Sequence, residues 1–291
     1  MHKDLYLVTG AAGFTGKYTV DELLQNCRKV RAFVRKKDAR SDELAKKGAE
    51  IYVGDLQDFD SVCGALKGVT AAYFMMSVYA DLIPAAAFFA QAAREAGLKA
   101  IVDMSEALAR REAKSHVTFN HWISERIFDW AGTPVVHLRP TFFAQWLLYP
   151  FILQQTNKGL VEWGFSTGKH APIAAEDTAR VIAKILQNPE PHVGKTYPLY
   201  GPKEYTANEL YAEISRVLGR EVKYKALSES AFKEKLAGLN NLVLAQHFEE
   251  ATKDHTNGFA AGTNHIIEDV TGKPPMGVAE FIKKNQRAFE I

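Results

Sequence analysis

Cysteine is scarce in this chain: only Cys27 and Cys63 occur among 291 residues. Both fall in helix-like stretches and read as buried thiols of a reducing compartment, with a Cys27–Cys63 disulfide as the alternative. An excess of charge of either sign is also missing. The 36 basic and 34 acidic residues leave a formal charge of +2, which gives no electrostatic case for binding nucleic acid or a membrane surface. Apolar runs stay short. The stretch "IPAAAFFAQAA" ends in Arg94-Glu95 before it could span a bilayer, and "LYLV" is too brief for a signal-peptide core. A cytoplasmic protein is expected. Repeats, low-complexity tracts and Pro/Ser-rich linkers are absent. The nine histidines show no close pairing; His247, His255 and His265 lie far apart with no cysteine nearby, which disfavours zinc.

What is present begins with an alternation. Apolar runs at Leu5–Thr9, Val30–Val34, Ile51–Val53, Ala72–Met76, Ala100–Met104 and Val135–Leu138 are separated by helical stretches at Lys17–Asn26, Ser41–Lys47, Phe59–Leu66, Leu82–Ala96 and Val117–Ala131. Gly97 and Gly132 sit where helix-ending glycines belong. Strands alternating with helices predict an α/β fold with a Rossmann-type doubly wound parallel sheet and right-handed crossovers. After about Tyr149 the rhythm changes. A loop leads to a helix opened by Glu176-Asp177, "KTYPLYG" reads as one further strand near 196–200, and "TANELYAEISRVLG" carries a capping box of Thr206 and Glu209.

The first strand runs into "TGAAGFTGK", with glycines at Gly10, Gly13 and Gly16 before a helix. In that context Gly10 can make the tight turn, Gly13 can let backbone approach a pyrophosphate, and Gly16 can bring the helix close to its strand. Ala12, Phe14 and Thr15 fall within the same loop and helix start, where N–H groups and the positive helix end favour phosphate. A nucleotide-binding domain over residues 1–149 and a smaller, mostly helical lobe over 150–291 follow, and the strand near 196–200 is a candidate to return to the main sheet.

The second strand bears on cofactor choice. An acidic residue about twenty positions beyond the last glycine would bind the ribose hydroxyls of NAD. Here that place holds Arg35, with Lys36, Lys37 and Arg40 following. A guanidinium there can pair with the extra phosphate of NADP, so NADP(H) is expected over NAD(H); the alternative is a solvated basic loop. Asp55, followed by Leu56, either accepts a bond from an adenine amino group or caps the next turn. Met76, Ser77 and Val78 end the fourth strand and are expected beside the cofactor.

The chain resembles the NmrA-like family of atypical short-chain dehydrogenases/reductases. The resemblance rests on "VTGAAGFTGKYTVDELL", "VRAFVRKKDARSDELAKKGAEIYVGDLQD", "HWISERIFDWAGTPVVHLRPTFF", "PIAAEDTARVIAKIL" and "GKTYPLYGPKEYTANELYAEISRVLGREVKY", and it fades beyond residue 227. It implies an NAD(P)H-dependent reductase similar to those acting on quinones or triphenylmethane dyes, or else a regulator that senses NADP(H) without turnover. One departure from ordinary short-chain dehydrogenases is plain: none of the 11 tyrosines has a lysine four residues later, so Tyr-x-x-x-Lys chemistry is excluded. In its place the resemblance points to His121 and Glu125, a His-x-x-x-Glu pattern on one helix face, where a carboxylate could orient the imidazole as a proton donor. An ordinary salt-bridged helix histidine is the alternative. Ser105, after the fifth strand, lies near where such enzymes carry a serine for the substrate carbonyl.

Phe142, Phe143, Trp146, Tyr149, Tyr79 and Trp163 are candidates for an apolar substrate wall, or else for core. The strand–turn–helix holds no Gly-x-Ser-x-Gly elbow, which disfavours a hydrolase. The reading is an NADPH-dependent oxidoreductase with a small apolar substrate, as monomer or homodimer.

Overall fold

The computed structural model describes residues 4–76 and 81–290. Six strands and five helices alternate through the first half: β1 (Leu5–Val8), α1 (Phe14–Gln25), β2 (Lys29–Val34), α2 (Ala39–Lys46), β3 (Glu50–Val53), α3 (Phe59–Leu66), β4 (Ala71–Phe74), α4 (Leu82–Glu95), β5 (Ala100–Met104), α5 (His116–Ala131) and β6 (Val135–Pro140). The bounds agree with the sequence periodicity to within a few residues. Gly97 and Gly132 both take positive φ, +66° and +77°, as helix-ending glycines do.

The strands form one parallel sheet in the order β3-β2-β1-β4-β5-β6. Alternation sorts its side chains: Tyr6 and Val8 of β1 enter the core on one face, and Leu7 enters that on the other. α3, α4 and α5 cover the second face through Val62, Leu66, Phe89 and Phe128. There the Phe74 ring lies 4.9 Å from Phe89 and 5.1 Å from Phe128, contacts worth about 0.5–1.5 kcal/mol each beyond their area.

The second half serves two purposes. After a 3-10 turn at Ala144–Leu148 come α6 (Pro150–Asn157), β7 (Leu160–Trp163), β8 (Lys169–His170), α7 (Ala175–Gln187) and β9 (Thr196–Leu199). β9 joins the main sheet as its seventh strand, parallel to β6, with His137 opposite Thr196 and Pro140 opposite Leu199. α7 packs on α1 through the face that buries Val181, Ile182 and Ile185. β10 (Tyr205–Thr206), α8 (Ala207–Leu218), β11 (Lys223–Ala226), α9 (Glu229–Ala237), α10 (Leu242–Thr256) and two short helices at Ile266–Thr271 and Val278–Lys284 follow. They surround a separate core that holds Trp163, Phe232, Phe248 and Phe281. Thr206 and Glu209 close the expected capping box.

The cysteines differ from expectation. Cys27 is exposed in a turn just past α1, with φ +56°, and Cys63 is half-buried in α3; both are free thiols. Among the described residues, no helix is long and apolar enough to cross a membrane.

The lobe also buries two histidines against each other. His170 Nδ1 lies 3.0 Å from His255 Nε2, and His255 stacks on Phe165 at 4.1 Å. Burial, reinforced by His255, holds His170 down to about 3, and burial alone takes His255 to about 4. The folded pair stays neutral while the unfolded chain takes up protons below its ordinary histidine value. The stability these groups contribute is therefore complete above about pH 6.5 and is lost as pH falls toward 4, at roughly 1.4 kcal/mol per pH unit per histidine. Urea unfolding of the His255→Gln variant between pH 7 and 5 should show a shallower acid loss than the parent by about that slope. Parallel losses would show that the pair is not held neutral.

Candidate functional site

The sheet reverses its strand order at β1, between β2 and β4, and a crevice opens at the carboxyl ends of the strands there. Thr9 closes the back of it: its hydroxyl donates to the Met75 carbonyl at 3.1 Å and accepts from the Met75 N–H at 2.7 Å. The glycine loop forms the floor. Gly10 adopts φ +55°, and the Gly13 N–H donates to the Gly10 carbonyl at 2.8 Å. A Cβ on Gly16 would overlap the Gly10 carbonyl and Ala11 backbone, and one on Gly13 would stand 3.1 Å from that carbonyl. Among the described residues, no side chain caps the N-terminus of α1, whose N-cap is Gly13. A loop without side-chain bulk under an uncapped 12-residue helix fits a diphosphate.

A continuous cleft of about 920 Å³ runs from this loop to the lobe. Ala12, Phe14 and Thr15 line it, and the Thr15 hydroxyl shares a hydrogen bond of 2.8 Å with Tyr73. Gly16 lies outside the lining and acts through packing. At the outer end lie Arg35, Lys36, Arg40, Asp55 and Leu56. Arg35 is exposed and makes no ion pair among the described residues. Arg40 also borders a side cavity of about 300 Å³ with Lys17 and Lys47, but its guanidinium is engaged with Asp38 at 2.6 Å. That guanidinium and the Ser41 N–H hold the Asp38 carboxyl below its usual range. Asp55 Oδ1 accepts from the Gln57 N–H at 2.9 Å, which is the turn-capping geometry, while the residue still faces the cleft.

Met76, Ser105 and His121 line the inner end. Ser77, Val78 and Tyr79 lie outside the described residues. Behind Ser105 and His121 the sheet face under α5 is polar. Asp103 on β5 stands opposite His137 on β6, and Ser105 and Arg139 follow two residues on. Glu125 does not pair with His121 as the spacing suggested. Fully buried, it accepts from Arg139 Nε at 2.8 Å and Nη2 at 2.6 Å, with Arg126 at 3.4 Å. Burial opposes its charge, but the Arg139 guanidinium outweighs it and holds the carboxyl below its usual range. His137 is buried between two carboxylates, Nδ1 2.8 Å from Asp103 and Nε2 3.1 Å from Asp129. Burial works against its charged form, yet the two carboxylates raise it above the ordinary histidine value.

The apolar wall is formed by Phe142, Phe143, Trp146 and Tyr149, joined by Phe248 from α10, whose ring meets Trp146 edge-on at 5.1 Å. Trp163 is a correction: it is 5% exposed in the lobe core, stacked on Phe151 and edge-on to Phe232, and lines no part of the cleft. β7 directs its side chain inward because the lobe needs a large apolar residue between α6 and α9.

The sequence reading missed Glu106, Thr141 and His247 in the lining. Ser105 Oγ, Glu106 Oε1 and Thr141 Oγ1 are buried without a hydrogen-bond partner among the described residues. His247, lowered by burial, sits 2.9 Å from the Ser115 hydroxyl. Leu244, His247, Phe248 and Ala251 share one face of α10. That helical spacing is visible in the sequence, but the face's target is not. A Gly-x-Ser-x-Gly spacing does occur at Gly164–Gly168, between β7 and β8 rather than before a helix, with Ser166 bonded to Thr256 at 3.2 Å.

Comparison with known proteins places this architecture. The NmrA-like family matches residues 2–281. The chain is 29% identical to an NAD(P)H azoreductase of Xenophilus azovorans, over 98% of this chain and 99% of the relative. It is 25% identical to quinone oxidoreductase 2 of Escherichia coli, over 94% and 96%. Among solved structures, the NADPH-dependent quinone oxidoreductase of Escherichia coli complexed with NADPH superposes with a TM-score of 0.85 at 24% identity, covering 97% of this chain and 99% of that one. The NADP(H) complex of Citrobacter sp. triphenylmethane reductase superposes at 0.83, with 24% identity and 96% and 99% coverage.

Replacing Arg139 by methionine should destabilise the chain by about 3–5 kcal/mol, because the buried Glu125 carboxylate would lose its partner. The double replacement Arg139→Met, Glu125→Gln should recover much of that in urea unfolding. A loss below about 1 kcal/mol for the single variant would mean that the pair behaves as a solvated one.

Proposed function

The chain belongs to the NmrA-like family, and from that premise we propose that it is an NAD(P)H-dependent reductase which prefers NADPH and reduces a flat apolar acceptor such as a quinone or aromatic compound. The observation that carries this reading is the single cleft joining the glycine loop at the start of α1 to an aromatic wall, with His121 on its lining. The named relatives act as NAD(P)H azoreductase and quinone oxidoreductase.

Residues 1–149 hold the cofactor on this reading, and the lobe from 150 onward closes the acceptor end. Gly10, Gly13 and the first N–H groups of α1 bind the diphosphate, and Gly16 keeps α1 close enough for them to do so. Arg35 meets the 2′-phosphate, Arg40 joins it by turning from Asp38, and Asp55 and Leu56 flank the adenine. Bound there, NADPH supplies a hydride from its nicotinamide ring. Phe142, Trp146 and Phe248 exclude water and hold a planar acceptor. His121 and Ser105 offer a proton or hydrogen bond to the acceptor oxygen as it gains charge. Such chemistry asks mainly for proximity and a dry site, which accords with the absence of a Tyr-x-x-x-Lys acid.

Titration with both cofactors tests the preference. Arg35→Ala should weaken NADPH binding about 10- to 100-fold, the value of one charged hydrogen-bonded pair, and leave NADH nearly unchanged. Tighter binding of NADH than NADPH by the parent would overturn it. Following the nicotinamide absorbance with a quinone panel tests turnover, and His121→Ala should slow it at least about 100-fold. Tight NADPH binding with no oxidation across the panel would favour a sensor instead.

A further inference from the structure

Reduction of a quinone by NADPH yields NADP⁺ and the quinol and consumes one proton with each hydride, so an enclosed acid must be recharged in every cycle. The polar layer under α5 has the form such a supply requires. Asp129 stands at the surface, its side chain 40% exposed. Its Oδ1 lies 3.1 Å from His137 Nε2, and the other ring nitrogen, Nδ1, lies 2.8 Å from Asp103 Oδ2. Asp103 is almost wholly buried. An imidazole bridging an exposed and a buried carboxylate can accept a proton at one nitrogen and release one at the other. Asp103 on β5 precedes Ser105 of the cleft lining by two residues, and His121 of the same lining stands on the helix that covers this layer, so the inner end of the array lies next to the cleft wall. Asp103 feels the charge of His121, and burial pushes the Asp103 carboxyl up against the pull of His137 and His121.

We propose that Asp129, His137 and Asp103 are positioning residues that carry protons from solvent to His121, replacing the one it gives to the reduced acceptor. The proposal rests on the reductase reading above. A proton enters at Asp129, passes to His137 Nε2, leaves from Nδ1 to Asp103, and reaches His121 once that imidazole has protonated the acceptor oxygen. No electrons move along the array. Glu125, Arg126 and Arg139 face the same layer. Arg139 neutralises Glu125, and Arg126 approaches both Glu125 at 3.4 Å and Asp129 at 2.9 Å. Packing alone does not account for the arrangement, since the buried Asp103 and Glu125 carboxylates beneath one helix cost more desolvation than an apolar layer would.

Two measurements on the full chain test this, one of them without any cofactor. In the cofactor-free protein labelled with ¹⁵N-histidine, exchange of the His137 ring N–H with water should slow at least about tenfold in Asp129→Asn, since the outward carboxylate then no longer passes protons. In turnover, Asp129→Asn and His137→Gln should each lower kcat at least about tenfold with a quinone, which takes up a proton, with a raised solvent isotope effect. With a carbenium dye, which needs hydride alone, both variants should stay within about twofold of the parent, as should KM for NADPH. Equal losses with the two acceptors would reduce the array to a structural role and overturn the proposal; so would unchanged exchange in Asp129→Asn. If the parent oxidised NADPH with neither acceptor, the reductase reading would fall, and the exchange measurement would still decide whether the array conducts protons.

Discussion

The arrangement hangs on one close approach, that of α1 to the end of β1. Gly16 sits against the Gly10 carbonyl so tightly that a single methyl group has nowhere to go. This contact sets the height of the helix N-terminus above the strand ends, and with it the depth of the cleft floor. Thr9 and Met75 lock the neighbouring strand end through two short hydrogen bonds. The loop between carries no side chain larger than alanine, which leaves the backbone at the start of α1 facing the cleft. Everything placed around it, from Arg35 outward to Phe248 inward, is positioned relative to that fixed edge.

The second constraint is the charge buried beneath α5. A sheet face covered by a helix is ordinarily apolar, and the same sheet is apolar under α3 and α4. Under α5, Glu125 and Arg139 instead form a bidentate pair with no exposure at the carboxylate. Desolvation opposes such a pair, and its attraction offsets that cost only when the geometry is good. The layer lies behind Ser105 and His121 of the cleft lining. Among the described residues, the buried Ser105 and Thr141 hydroxyls and Glu106 Oε1 at the same end have no hydrogen-bond partner.

Reading along the chain went furthest where the signal is local. The strand and helix alternation, the turn glycines at Gly97 and Gly132, the capping box at Thr206 and the phosphate-type loop all depend on neighbours in sequence. The seventh strand at Thr196–Leu199 was legible as a strand returning to the main sheet, but its partner β6 was visible only in space. Trp163 misled because a large aromatic residue after a strand looks the same whether it faces a cleft or a core. Glu125 misled for a related reason: a four-residue spacing shows which side chains share a helix face, while the strand opposite supplies a stronger partner in Arg139. Cys27 lies in a turn with positive φ, a conformation its neighbours in sequence did not announce.

Sequence alone determined the doubly wound sheet, the glycine cradle and the basic edge beyond β2, because each is written in short-range periodicity, backbone permissiveness or charge. Tertiary structure alone decided which aromatic residues meet across the cleft, that α10 lays His247 and Phe248 against it, and that Asp103, Glu125, His137 and Arg139 converge under one helix. Those groups lie on β5, α5, β6 and the lobe, and nothing in a one-dimensional pattern states the register of one strand against the next. The contacts that give the site its chemistry are long-range, and only packing brings them together.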